Sequence, residues 1–203
     1  VRSDANNYAA SMSNLLNQIS PRFSTSYSIT EKTSANFSLA RYYQMPAYTS
    51  LGYKDISGNF VNKLNNIKYI QSNHIVAGVE HFINKNTKIN GELFYKTYNN
   101  YPFSVRDSIS LASKGADFGV IGDEEIKSIS KGKAFGFELF AQRKLSKKID
   151  FTISYTYVRS RFTDKNDKYI PSAWDNKHLF NIILARSFEK NWNLGLKWKY
   201  IGG

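Results

Sequence analysis

Phe135-Gly136-Phe137-Glu138-Leu139-Phe140-Ala141-Gln142, followed beyond Ser146-Lys147-Lys148 by Phe151-Thr152-Ile153-Ser154-Tyr155-Thr156-Tyr157, decides how this chain folds. Phe135, Phe137, Leu139 and Ala141 fall at every second position, with Gly136, Glu138 and Gln142 between them. In the second run Phe151, Ile153, Tyr155 and Tyr157 alternate with Thr152, Ser154 and Thr156. A period of two puts one set of side chains on each face of a pleated strand. The polar lysine-rich stretch between the runs then reads as the turn of a hairpin.

The same signature recurs along the chain. Phe23, Thr25, Tyr27 and Ile29 alternate with serines, then Ala35, Phe37 and Leu39 follow the polar turn Thr30-Glu31-Lys32-Thr33. Ile75, Ala77 and Val79 lead through Asn84-Lys85-Asn86 to Ile89, Gly91, Leu93 and Tyr95. Phe180, Ile182 and Leu184 lead through Glu189-Lys190-Asn191 to Trp192, Leu194, Leu196, Trp198 and Tyr200. The expectation is four hairpins, about eight strands, each on the order of 10–15 residues against the ~5–6 usual in globular proteins. A tilted strand needs ~9–11 residues to cross a bilayer. Connections inside the hairpins are short, whereas those between hairpins span 44–68, 99–128 and 163–176. Short turns on one side and long loops on the other are the arrangement of a transmembrane, antiparallel, up-and-down β-barrel. Its polar face carries Glu92, Lys96, Glu138 and Lys197, which such a barrel directs into a wet lumen. Tyr27, Tyr43, Tyr95, Tyr155, Tyr157, Trp192, Trp198 and Tyr200 lie near the ends of the apolar runs, as an interfacial girdle requires.

Composition agrees. Among 203 residues there are 14 Tyr, 14 Phe, 3 Trp and no Cys, which excludes disulfides and thiolate metal sites. No run of ~18 apolar residues offers a membrane helix. The mean hydropathy of −0.46 is compatible with a barrel, whose strands are only half apolar. The net charge of +12 is carried by scattered Lys and Arg. With no basic helix or known module, no nucleic-acid partner is expected; solvent or anionic lipid headgroups meet these residues instead. His74, His81 and His178 are far apart and show no metal-ligand spacing, and neither a Cys nucleophile nor a Gly-rich phosphate loop is present. No catalytic residue, metal site or cofactor is expected.

Several segments resemble one family. Ser20-Pro21-Arg22-Phe23-Ser24 and Arg41-Tyr42-Tyr43-Gln44-Met45-Pro46 look like paired strands of TonB-dependent outer-membrane receptors, especially those of Bacteroidetes type. Tyr101-Pro102-Phe103-Ser104-Val105-Arg106-Asp107, Lys131-Gly132-Lys133-Ala134-Phe135-Gly136-Phe137-Glu138 and Trp174-Asp175-Asn176-Lys177-His178 match the same family in order and spacing, so the likeness covers about Ser20 to Gly203. It implies a barrel of about 22 strands, of which residues 1–203 form the later part: 1–19 the end of an outer loop, 20–203 the four hairpins, with no plug domain. It further implies the outer membrane of a Gram-negative bacterium and active uptake of a scarce ligand. The implied partners are membrane lipid and lipopolysaccharide, an N-terminal plug, the TonB complex through that plug, in some members a surface lipoprotein, and a small-molecule, glycan or peptide ligand.

Loop aromatics beside an arginine are the candidate ligand contacts: Tyr42, Tyr43 and Tyr48 at one mouth, Tyr98, Tyr101 and Arg106 at the next, and Trp174 where the last long link re-enters a strand. For Asp175 the expected role is a local pair with Lys177 or His178, and for Glu92 and Glu138 pairing with lumenal lysines such as Lys96. Two other readings of the strands stay open. A self-contained eight-stranded barrel, structural or passive, requires its first and last strands to pair. A soluble carbohydrate-binding sandwich requires Phe135/Phe137/Leu139 to pack face to face with Trp192/Leu194/Leu196.

Overall fold

The computed structural model describes residues 12, 14–115, 122–146, 149–188 and 192–203. Eight long strands pair in sequence order into one antiparallel sheet: β1 (Arg22–Thr30), β2 (Thr33–Gln44), β3 (Ile70–Asn84), β4 (Thr87–Ser104), β6 (Ile126–Ser146), β7 (Ile149–Thr163), β9 (Lys177–Ser187) and β10 (Asn193–Gly202). Two short strands lie off this path, β5 (Ile109–Ser110) on β4 and β8 (Tyr169–Pro171) on β7. The expected eight strands are present, and the two short ones arise inside links read from sequence as plain loop.

Glu31-Lys32 and Lys85-Asn86 are two-residue turns joining β1 to β2 and β3 to β4. Their tightness locks register: Phe37 faces Thr25 on one side and Ala77 on the other. Lys147-Lys148 and Glu189-Lys190-Asn191, the other two expected turns, lie outside the described residues, as does most of the segment 1–19; its described end is a 3₁₀ turn at Leu15–Gln18.

Register carries the two-faced pattern unbroken across the sheet. Leu39, Ile75, Tyr95 and Phe135 form one row; Phe37, Ala77, Leu93, Phe137 and Tyr157 form the next. Ile153, Ile182 and Trp198 extend the same face to the far edge. The side chains on it are large, apolar and exposed, among them Tyr27 at 71%, Leu93 at 65% and Leu196 at 63%. A contiguous apolar surface of this extent does not face water in a stable protein, whereas a bilayer covers it without cost.

Two readings left open by the sequence are thereby decided. β1 and β10 each pair with one neighbour and not with each other, so the strands do not close as a barrel of eight. Phe135/Phe137/Leu139 and Leu194/Leu196 lie on one continuous surface and do not pack against each other.

β4 has 18 residues and β6 has 21, more than the lengths expected from sequence. Only ~9–11 are needed to cross the bilayer, so these strands project beyond it on the side away from the short turns. There the apolar face ends at the polar row Arg41, Asn73, Thr97, Lys133 and Arg161.

The long links above this row are folded. α1 (Tyr48–Leu51) and α2 (Val61–Leu64) sit in the link between β2 and β3. Leu51, Ile67, Leu111 and Ile126 pack with Met12 into a buried cluster, against which Met45, Tyr69 and Tyr101 lie. The links thus share a small core, drawn from residues before β1, between β2 and β3, between β4 and β6 and at the start of β6, which an alternation-based reading does not detect. Asn62, fully buried, fastens the β2–β3 link to β6: its side-chain amide donates to the Ser50 carbonyl at 2.6 Å and the Glu124 carbonyl at 2.8 Å, and its Oδ1 accepts from the Ile126 N–H at 2.8 Å.

Candidate functional site

The polar face of the arc meets the folded links at its outer end, and three groups of side chains gather there. The first is aromatic. Tyr98 and Tyr101 are separated by an odd interval, which in a regular strand sends side chains to opposite faces. A bulge cancels the alternation. Asn99 and Asn100 have no partner on β6, and the register jumps between Tyr98 and Tyr101. Asn100 takes φ 56°, the left-handed conformation that Asn tolerates better than most residues. The two tyrosine rings come to 6.3 Å, nearly perpendicular, and both reach Phe162, at 5.3 Å and 4.7 Å. Gly132 faces both Tyr98 and Phe162, and only a residue without a Cβ leaves room for the Phe162 ring. Above the polar row that ends the apolar face, burial holds the pKa of both hydroxyls above the usual tyrosine value.

The second group is cationic and lies one row lower. Register aligns Arg22, Ala40, His74, Lys96, Ala134 and Ser160 across six strands. The Arg22 guanidinium stands 4.5 Å from the Tyr42 ring centroid, and the His74 ring 4.8 Å from the same ring. Below this row, at the β1–β4 side, Ser24, Ser26, Asn36, Ser38 and Glu92 line a cavity of about 450 Å³ together with Thr25, Phe37, Val76 and Gly78.

The third group is an ionic cluster within the links. Glu124 is buried and holds the Ser104 hydroxyl and the Lys114 ammonium, the latter at 2.5 Å. Lys114 also pairs with Asp107, which accepts from Arg106 Nε at 3.1 Å. Hydrogen bonds from Lys114 and then Arg106 hold the Asp107 carboxyl below its usual 3.8. For Lys114, burial acts to lower the pKa, yet hydrogen bonds to Asp107 and Glu124 outweigh it and leave the ammonium above its usual 10.5. A depressed carboxyl stabilises the fold above pH 3.8 and loses that contribution as pH falls through the folded value. A raised ammonium contributes below pH 10.5 and loses it as pH rises through the folded value. Amide protection of residues 104–115, corrected for intrinsic exchange, is therefore expected to stay level from about pH 5 to 9 and to fall below about pH 4.

The sequence candidates distribute over these groups unevenly. Tyr42 and Tyr98 lie in one row of the polar face, separated by Ser72. Tyr101 sits above them against Phe162. Tyr43 points to the opposite, outward face, where its hydroxyl donates to Gln71 Oε1 at 3.5 Å. Tyr48 opens α1 and is 48% exposed, Arg106 belongs to the ionic cluster, and Trp174 is 55% exposed on the link into β9. Glu92, Lys96, Glu138 and Lys197 all fall on the polar face by register. Glu92 stands directly opposite Glu138 and accepts from Asn90 at 3.0 Å, while Lys96 lies 5.3 Å from the Phe94 ring. Among the described residues neither glutamate pairs with Lys96, and the ion pair between strands on this face is Lys88–Glu80 at 3.0 Å.

Asp175 departs from its expected local pairing. It accepts from Arg159 Nε at 3.1 Å and from the Ser160 N–H at 2.7 Å, closing the link onto the end of β7. Sequence reading also passed over Arg22, His74 and Phe162. Their significance is cross-strand, and only exact register places residues 22, 74 and 96 together.

The whole chain, residues 1–203, matches the model of the family described as TonB dependent receptor-like, beta-barrel. No curated protein matches it. Among solved structures it is similar to the FrpB iron transporter from Neisseria meningitidis, with 16% identity and a TM-score of 0.60 over 90% of this chain and 26% of that one. It is also similar to the alcaligin outer-membrane receptor FauA from Bordetella pertussis, at 17% identity and a TM-score of 0.58 over 91% and 29% of the two chains. The ferric-catecholate import receptor Fiu from Escherichia coli K12 gives 16% and 0.60 over 89% and 24%. At these identities the likeness is one of fold, and the chain spans about a quarter of the length of these structures.

Proposed function

We propose, because this chain belongs to the TonB-dependent receptor-like β-barrel family, that it serves as wall and outer mouth of an active uptake receptor in the Gram-negative outer membrane. The observation that carries the reading is the unbroken apolar face with a wet, charged face behind it, continued above the bilayer by folded links. In this reading residues 1–203 are a segment of a larger barrel that holds a plug, receives energy from the TonB complex and, as in some relatives, associates with a surface lipoprotein. Lipid and lipopolysaccharide cover the apolar face. The Bacteroidetes-type affinity rests on the motifs alone and belongs to the same proposal.

The ligand we infer is a scarce metal chelate. Similar structures include an iron transporter, a receptor for alcaligin and a ferric-catecholate import receptor, and this supports the class without fixing the compound. Tyr42, Tyr98 and Tyr101 are the candidate contacts nearest the mouth, with Tyr43, Tyr48, Arg106 and Trp174 on the surrounding surface. The test is uptake of radiolabelled iron from chelate-limited medium by cells that have or lack the gene. Uptake is expected to require both the gene and an intact TonB system. Gene-dependent uptake that persists without TonB would contradict the proposal.

A further inference from the structure

We infer that Lys131, Lys133 and Arg161, on the outward face at the rim of the apolar band, form a site for the phosphomonoester headgroup of an acylated glycolipid, an inference that rests on the reading of this chain as outer-membrane wall. Charge supplies the first argument. Lys133 of β6 stands directly opposite Arg161 of β7, and both strands are internal to the sheet. Lys131 lies two residues further along the same face of β6. Like charges placed opposite one another across a ladder destabilise it. Among the described residues no carboxylate pairs with any of the three, and the Lys133 ammonium rests instead 4.3 Å from the Tyr169 ring centroid. Their neighbours on this rim are matched. Arg159 is held by Asp175, and Arg41, at the other end of the row, donates to Asn73 Oδ1 at 2.8 Å, whose amide in turn donates to Thr97 at 3.3 Å. The β2–β4 part of the rim is satisfied by its own side chains, whereas the β6–β7 part sets cations side by side. An anion seated between them removes that repulsion.

Depth supplies the second argument, and it selects the occupant. The next outward residues down β6 are Phe135, Phe137 and Leu139, flanked on β4 by Tyr95, Leu93 and Gly91. Rows on one face are about 7 Å apart, so the three cations stand where the apolar core of a bilayer gives way to headgroups. A lipid whose chains lie along Phe135 and Leu139 brings its headgroup to Lys133 and Arg161. The long strands and folded links mark this end as the outer one, so the lipid belongs to the outer leaflet. Three cations in two rows match a dianion with three oxygens: the Arg161 guanidinium offers a planar fork and the two lysines point charges. A phosphomonoester is such a dianion, whereas a phosphodiester headgroup carries a single charge. Tyr169, 39% exposed beside Lys133, and Thr97, opposite it, give the attached sugar an aromatic face and a hydroxyl.

The test uses the receptor that carries this segment, purified in a neutral detergent, with folded protein selected by heat-modifiable migration. Native mass spectrometry reads the lipid retained as diphosphoryl lipid A, whose phosphates are monoesters, is titrated in. Wild type is expected to retain lipid A with a severalfold preference over phosphatidylglycerol, a phosphodiester, and millimolar inorganic phosphate should not displace it. Lys133→Gln combined with Arg161→Gln is expected to lower the affinity for lipid A about tenfold. Arg143→Gln combined with Arg186→Gln removes the same charge from the same outward face near the short turns, and affinity should stay within about twofold. Arg161→Glu supplies Lys133 with a counter-charge from within the wall and should abolish retention. Absence of retention by wild type, phosphatidylglycerol held as well as lipid A, displacement by millimolar phosphate, equal losses in the two double variants, or retention by folded Arg161→Glu would each overturn the site. Lipid retention does not involve TonB, so failure here leaves the uptake proposal standing, and failure of energised uptake leaves this result unaffected.

Discussion

Replacing Gly136 with alanine is expected to prevent most of the barrel from reaching its folded, heat-modifiable form, and replacing it with valine to prevent all of it. Gly136 lies in the middle of β6 between Phe94 of β4 and Val158 of β7. A Cβ added there would overlap the Tyr157 carbonyl oxygen and come within 2.9 Å of Phe94 Cζ. Overpacking in a dense site costs ~1–3 kcal/mol where side chains can yield. Here the atom in the way is backbone, so β6 must separate from β7 and the cost exceeds that range. Gly195 is the control: nothing lies within 4 Å of its added Cβ, and Gly195→Ala should fold as wild type. Comparable folded yields for the two variants would contradict the close approach of β6 and β7.

The second large effect is expected above the membrane. Asn62→Ala removes one amide and strands three buried backbone groups: the Ser50 and Glu124 carbonyls and the Ile126 N–H. Each unpaired buried group costs ~1–3 kcal/mol, so a local loss of several kcal/mol is expected. Because Asn62 joins the β2–β3 link to the start of β6, the loss should appear as faster amide exchange over 48–67 and 122–128. Strand exchange and heat-modifiable migration should not change, since the ladders β3–β4 and β4–β6 do not involve Asn62. Slow exchange retained across 48–67 would show that the buried amide does not hold the link.

These two residues also mark what sequence reveals and what it hides. The strands were legible because alternation is a local property: Leu93 and Leu139 declare their face by their immediate neighbours. The outer end was less so. The bulge at Asn99-Asn100 converts an odd spacing into a shared face for Tyr98 and Tyr101, and no alternation pattern encodes it. Asn62 and Glu124 are polar residues in long links, where exposure is the ordinary expectation, yet both are buried. Asp175 found Arg159 on another strand instead of a neighbour in sequence. Tyr42 and Tyr98 were picked out as mouth aromatics, whereas Arg22 and His74 gain their meaning only from partners 20 to 74 residues away. Long-range register, the part of a β fold fixed by turns and by the requirement that one face meet lipid, separates these two kinds of residue.

The most direct test of the central claim, a two-faced wall with lipid on one side and water on the other, is a spin-label scan of β4. The segment has no Cys, so single cysteines at positions 89 to 96 report without background from it. In liposomes, labels at 89, 91, 93 and 95 should collide with membrane-dissolved oxygen, and those at 90, 92, 94 and 96 with a water-soluble nickel chelate, in strict alternation. If labels at 91 and 93 collided with neither reagent, or if the alternation were absent, the apolar face would be packed against protein and the barrel-wall account would be wrong.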